Sequence, residues 1–358
     1  MAVRRKGADR AEVLVYRQGR RPVPFPVILI LVLAVLVIAI AVSFVIGRYA
    51  IDPWQAMRIM ASKFFTVEHT WRELDAKVIW EVRWPRTLMA VLVGAALSCS
   101  GAVYQGVFRN PLVSPDILGV SAAASFGAAL AIVLAGAFSP LVPTLAFGMG
   151  ILGVLLAYGL AKVRGMTPTI MLVLSGVVVS SIFNAGVSIM KYLADPENDL
   201  PAITFWLMGS LSGMRWDNLA FATPIILTGL VVVMIVSWRL NLLTMGDSEA
   251  RSLGVNTQRT RMVAIICATA MTATAVSQSG AIGWVGLVIP HMARILVGPN
   301  HRKLVPVAAT LGAAFLLIID GLTRTVSESS LPLSIPIALV GAPFFAMLLR
   351  RSKGVWTR

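Results

Sequence analysis

Charge is what this 358-residue sequence has least of: Asp, Glu, Lys and Arg make up 13% of it, against 57% apolar residues. Soluble domains carry about 25% charged residues, so a chain this poor in charge cannot clothe a water-facing surface. The mean hydropathy of +0.82 agrees, and the sequence is that of a polytopic membrane protein. Cysteine is scarce too. Cys99 and Cys267 both fall inside apolar runs, which excludes a disulfide framework and any cysteine-based zinc or haem spacing. The three histidines, His69, His291 and His301, are scattered, with no H-E-x-x-H and no paired carboxylates inside an apolar run. No metal site and no intramembrane enzyme follow from that pattern. No glycine is followed by lysine, so the phosphate-binding loop G-x-x-x-x-G-K-[ST] is missing and nucleotide hydrolysis by that route is excluded.

What the sequence has instead is a series of long apolar runs. Residues 27–47 hold no charge, and about twenty residues at 1.5 Å each cross the hydrocarbon core. Arg83-Trp84-Pro85-Arg86 opens a second run that reaches Phe108, and the uncharged stretch 117–161 is too long for one helix. Ser139-Pro140-Leu141-Val142-Pro143 splits it in two. Runs at 169–190, 218–238 and 262–279, a short helix ending near Arg294, and runs at 304–322 and 334–349 bring the count to ten. The expected fold is an all-α membrane bundle of about ten transmembrane helices. Between residues 48 and 86, Trp54, Trp71, Trp80 and Trp84 place an outside loop partly at the headgroup level. The apolar segment 200–214 is short for a crossing and reads as a re-entrant or surface helix.

The net charge of +15 raises nucleic acid as a partner, but the basic residues form no single patch and that partner is set aside. They sit in the loops. With ten crossings starting inside, the inside segments hold 21 Lys and Arg and the outside segments 10, together the 31 of the whole chain. That excess places both termini in the cytoplasm. The chain then divides into a cytoplasmic tail at 1–26, a ten-helix transmembrane domain at 27–350, and a cytoplasmic tail at 351–358.

The longest polar interruption on the inside is 239–261. Within it Asp247-Ser248-Glu249-Ala250-Arg251-Ser252-Leu253-Gly254 reads as a short helix, with acids in its first turn and a stop at Gly254. Two turns are too short to be stable alone. The stretch is either a docking helix for a soluble protein or a solvated loop, and these residues alone leave both open.

Other candidates are weaker. Gly176, Ser180, Asn184 and Ser188 recur every four residues on the fifth span, hence on one face. Tight helix contact is the commoner cause of such a stripe, while Asn184 at mid-span speaks for a water-filled path. Asp320 could relay protons, but Arg324 lies one turn on as its natural ion-pair partner. The turn 279–286, rich in glycine, is expected inside the bundle, because non-helical backbone at that depth must be buried in protein or line a cavity. Pro111-Leu112-Val113-Ser114-Pro115 and Pro332-Leu333-Ser334-Ile335-Pro336 enter from opposite faces, which would fit an inverted repeat. The lack of buried charge argues against proton or sodium coupling and leaves an external energy source.

Several blocks together carry a family resemblance: Arg83-Trp84-Pro85-Arg86-Thr87-Leu88, the run 101–112, Pro115-Asp116-Ile117-Leu118-Gly119-Val120, the 239–261 loop, the run 280–291, and Gly341-Ala342-Pro343-Phe344-Phe345. From about residue 27 to the end, the chain resembles the permease subunits of ATP-binding-cassette importers for iron-siderophores, haem and vitamin B12. The resemblance implies a homodimer of permeases in a bacterial or archaeal plasma membrane, with two cytoplasmic ATPase subunits and a periplasmic or lipid-anchored substrate-binding protein. This chain would bind no cofactor, and ATP and Mg would be used by the ATPase. The stretch Gly246, Asp247, Ser248, Glu249, Ala250, Arg251, Ser252, Leu253, Gly254 matches the coupling helix that enters a cleft on that ATPase. Arg83, Arg86 and Arg324 match outer arginines that pair with glutamates of the binding protein. Thr169 matches a hydroxyl residue at the cytoplasmic gate, and Ile170 departs from the serine of the vitamin B12 permease. The implied function is inward transport of a metal chelate, haem or corrinoid by alternating access. A molybdate or tungstate importer is the alternative cargo reading, and a membrane receptor or scaffold that moves nothing is the alternative class.

Overall fold

A computed structural model of the chain describes residues 23–47, 49–162, 168–326 and 331–352. Most of the expected 1–26 tail, the connection around Arg164 and the end of the 351–358 tail lie outside the described residues. Within them there are thirteen helices and no strand. Seven helices are long and apolar enough to cross a membrane, against the ten expected, and three shorter apolar ones lie at 120–135, 285–297 and 334–347.

Helix α1 is Phe25–Val45, with a proline in its first turn, where the missing N–H is no loss. The segment after it is folded. Helix α2, Pro53–Ala61, starts where the Asp52 carboxylate accepts the backbone N–H groups of Trp54 and Gln55 at 2.9 and 3.1 Å. Its Ala56 and Ile59 pack with Ile51, Trp71 and Ile79 in a small apolar cluster of its own. Helix α3 runs from Glu73 to Val107, 35 residues with a π-helical stretch at Val78–Arg83. It therefore begins ten residues before Arg83, where the sequence reading opened the span.

Helix α3 is the axis of the bundle, and nearly all its residues from Val93 to Val107 are buried. Around it stand α8 (Trp216–Met245), α10 (Thr257–Ser279), α11 (Val285–Val297) and α12 (His301–Val326). Helices α4 (Val120–Ala135), α5 (Leu141–Ala161) and α6 (Thr169–Leu193) form a second group, with the short outer helix α7 (Asp199–Met208) against α4. That last helix is the surface or re-entrant element expected from 200–214. The short helix α9 (Asp247–Ser252) joins α8 to α10, and α13 (Ser334–Ser352) is the last described helix. Small residues let backbones touch: a Cβ on Gly101 would lie 1.8 Å from the Gly286 carbonyl oxygen.

The turn before α11 lies inside the bundle, as expected. Backbone bonds hold its ends: Gly280 N–H donates to Val276 O at 2.8 Å, Val285 N–H to Gly283 O at 2.7 Å, and Ser210 N–H to Ser279 O at 2.7 Å at its edge. One expectation needs correction. The polar interruption was placed at 239–261, but α8 continues to Met245 and α10 starts at Thr257. Leu240, Leu242 and Leu243 are buried and hold those turns in the helix despite their polar neighbours.

Candidate functional site

The stretch 246–254 folds as its residues dictate. Gly246 O accepts Ala250 N–H at 3.0 Å, closing the first turn of α9. At the other end Gly254, at φ +79°, occupies the left-handed position that ends a helix. Val255 N–H then reaches Ala250 O and Gly254 N–H reaches Arg251 O, at 3.0 and 2.9 Å. That is the paired pattern of a Schellman cap, including its apolar contact, because Ala250 and Val255 pack together with Leu242. The remaining side chains face outward. Ser248 Oγ bonds Glu249 Oε2 at 2.8 Å and, with the helix backbone, holds that carboxyl below its usual range. Arg251, Ser252 and Leu253 are exposed, Leu253 at 56%. Arg251 Nε touches Thr257 Oγ1 only at 3.4 Å.

Asp247 ties this helix to the bundle. Its carboxylate pairs with Arg109, in the turn after α3, and with Arg261 on α10, whose Nη2 lies 3.1 Å from both oxygens. The sequence reading singled out neither arginine. Both stand on other segments, and no local spacing could have flagged them. With 37% of the Asp247 side chain accessible, the pairs fix position more than they stabilise.

At the opposite end, the three arginines expected to dock a binding protein turn inward. Arg83 is 4% exposed and donates to the carbonyl oxygens of Phe44 and Tyr49. Arg324, 8% exposed, donates to Ser43 O and Ile46 O at 3.3 Å and to Ser43 Oγ at 2.9 Å. These are the carbonyls that the end of α1 leaves without helical partners, and a cation is favourable there. Arg86 forks onto Asp320 at 2.9 to 3.1 Å, and Arg324 Nε meets the same fully buried carboxylate at 3.2 Å. In the single chain the guanidiniums of Arg83 and Arg324 are thus committed to α1 and Asp320. The Asp320–Arg324 pair stands as read, and Arg86 is the partner that helix spacing could not reveal.

The stripe on α6 divides. Gly176 is a tight contact, since a Cβ there would lie 2.0 Å from Ile117 O, and Ser180 is half-buried beside Gly119. Asn184 and Ser188 are exposed, and Ser188 Oγ donates to Asn184 O at 3.0 Å. Thr169, next to Pro168 at the start of the helix, is half-buried, and Ile170 is 71% exposed. The face carrying Ile170, Asn184 and Ser188 is thus uncovered in the single chain. Polar ties inside the bundle were not anticipated either: Tyr104 OH meets Thr269 Oγ1 at 2.8 Å, Arg294 donates to Gln105 Oε1 at 2.9 Å, and His301 Nδ1 meets Asn241 Oδ1 at 2.9 Å.

Comparison with known proteins gives a consistent result. The model of the FecCD transport family matches residues 35–351. The molybdate import system permease MolB of Haemophilus influenzae is 40% identical over 316 residues, covering 87% of this chain and 92% of that protein. The cobalamin import system permease BtuC of Halobacterium salinarum is 39% identical over 300 residues, 83% of this chain and 79% of the relative. Among solved structures, an inward-facing metal-chelate type ABC transporter superposes with a TM-score of 0.80 at 38% identity, over 91% of this chain and 99% of that one.

Proposed function

The chain belongs to the FecCD transport family, and from that premise we propose that it is the membrane permease of an ATP-binding-cassette importer that carries a metal chelate inward. The observation that carries the reading is α9: a capped helix too short to stand alone, offering Arg251 and Leu253 outward while Asp247 anchors it to Arg109 and Arg261. A helix built that way is suited to receive a push from a soluble partner and pass it to the spans. In this scheme two copies of the chain pair through uncovered faces such as that of α6, two ATPase subunits bind at α9, and a binding protein delivers cargo at the opposite end. The α9 end and both termini face the cytoplasm. ATP acts only through its different affinity for the inward- and outward-facing states, so hydrolysis that does not reach α9 moves nothing.

The test is replacement of Arg251 and Leu253 by glutamate, followed by uptake of labelled chelate and ATPase assays on the reconstituted complex. Uptake is expected to fall to background while the protein still inserts and the ATPase still turns over. Normal uptake by this variant would reject the reading. A molybdate-type oxyanion is the second cargo reading, favoured by the MolB relative at 40% identity. Competition between molybdate and ferric or corrinoid chelates in the same vesicles decides between them.

A further inference from the structure

At the end of the bundle that carries α9, the last turns of α8 and the first of α10 enclose a cavity of about 380 Å³. Two arginines reach it, Arg239 from α8 and Arg259 from α10, together with Val236, Val255, Val263 and Asn256. Both arginines are exposed, and among the described residues neither guanidinium meets a carboxylate. Arg261, close by, differs in being bound to Asp247. The Asn256 side-chain oxygen is already occupied, accepting Arg259 N–H at 2.9 Å. What remains is a concave site with two unpaired cations and the positive end of a 23-residue helix. Such a site suits an anion.

The surface alongside selects the kind of anion. From Arg239 an uncovered apolar stripe runs along α8 through Ile235 and Val231, 74% and 55% exposed. From Arg259 a second runs along α10 through Met262 and Ile266, 42% and 58% exposed. Both follow helical spacing, so each arginine heads its own stripe. Helix α8 has 30 residues, about 45 Å, which exceeds the hydrocarbon core by about 15 Å. Trp238, 45% exposed beside Arg239, suits the headgroup level. A free phosphate would use the arginines alone, whereas a diacyl lipid uses the arginines for its phosphate and the stripes for its chains.

We propose that this cavity is a binding site for an anionic phospholipid, of the phosphatidylglycerol or cardiolipin kind, in the leaflet on the α9 side. The site does not depend on the cargo, and it leans on the importer reading only in calling that leaflet cytoplasmic. The test therefore uses the full chain alone. Native mass spectrometry is run in detergent with equal amounts of phosphatidylglycerol and phosphatidylcholine of the same acyl chains. The wild type is expected to retain the anionic lipid by about thirtyfold over the neutral one, the scale that two cations set at an anionic surface at about 1 kcal/mol each. R239Q with R259Q brings the ratio near unity, and each single variant lowers it by about fivefold, which keeps the test open should the double variant fail to insert. Lys162→Gln, an exposed charge outside the cavity, leaves it unchanged. Equal retention by the wild type, an unaffected double variant, or equal losses with K162Q would overturn the proposal. So would displacement of the lipid by millimolar inorganic phosphate.

Discussion

Asp320 shows at the scale of one residue what a membrane interior demands of a charge. Its carboxylate is fully buried and answers two guanidiniums, while Arg324 and Arg83 also cap the carbonyl end of α1. Removing the anion strands two cations, and breaking a buried pair from one side typically costs about 3–5 kcal/mol. Asp320→Asn is therefore expected to lower the thermal unfolding midpoint of the detergent-purified protein clearly, whereas D320E, which keeps the charge, does much less; equal midpoints for the two variants would show that the charge is not what matters. Arg83→Glu with Arg86→Glu is expected to act the same way, lowering stability before it touches any docking partner. Half of this cluster was readable beforehand. Arg324 is one helical turn from Asp320 and so announces itself, but Arg86 is 234 residues away. The carbonyls that attract Arg83 are backbone atoms at a helix end, which carry no side-chain signature at all.

Among the elements, α9 was the most legible. Acids in its first turn, arginine in its last and glycine just beyond it define a short helix without knowledge of the fold. Its flanks were not, because buried leucines carry α8 through residues that look like a loop, and burial is a property of the packed bundle. Gly254→Val tests how much the cap matters. A β-branched residue at φ +79° is strained by about 1–2 kcal/mol, so the helix should fray and coupled uptake fall several-fold with insertion unaffected. Uptake equal to wild type would mean that α9 works without its cap. The α6 stripe was half right for a related reason: Gly176 is a packing contact and Asn184 an open one, and one spacing rule cannot separate them.

For the whole molecule, the long apolar helices and the partly buried 280–284 turn follow from apolar runs, their interruptions and the need of every backbone group for a partner. How the helices group around α3 does not, since small residues permit close contact almost anywhere along an apolar helix. Purified by itself, the full chain is expected to show no ATP hydrolysis above an empty-detergent control, with activity appearing only once a separate ATPase is added; turnover by the chain alone would contradict the division of labour proposed for it. The Asp247 carboxylate adds a mechanical corollary. It grips the turn that leads into α4 through Arg109 and the foot of α10 through Arg261, so it behaves like a yoke across two groups of helices. A thrust delivered at that corner would arrive in both groups within a single stroke, and no relay from one to the other would be required.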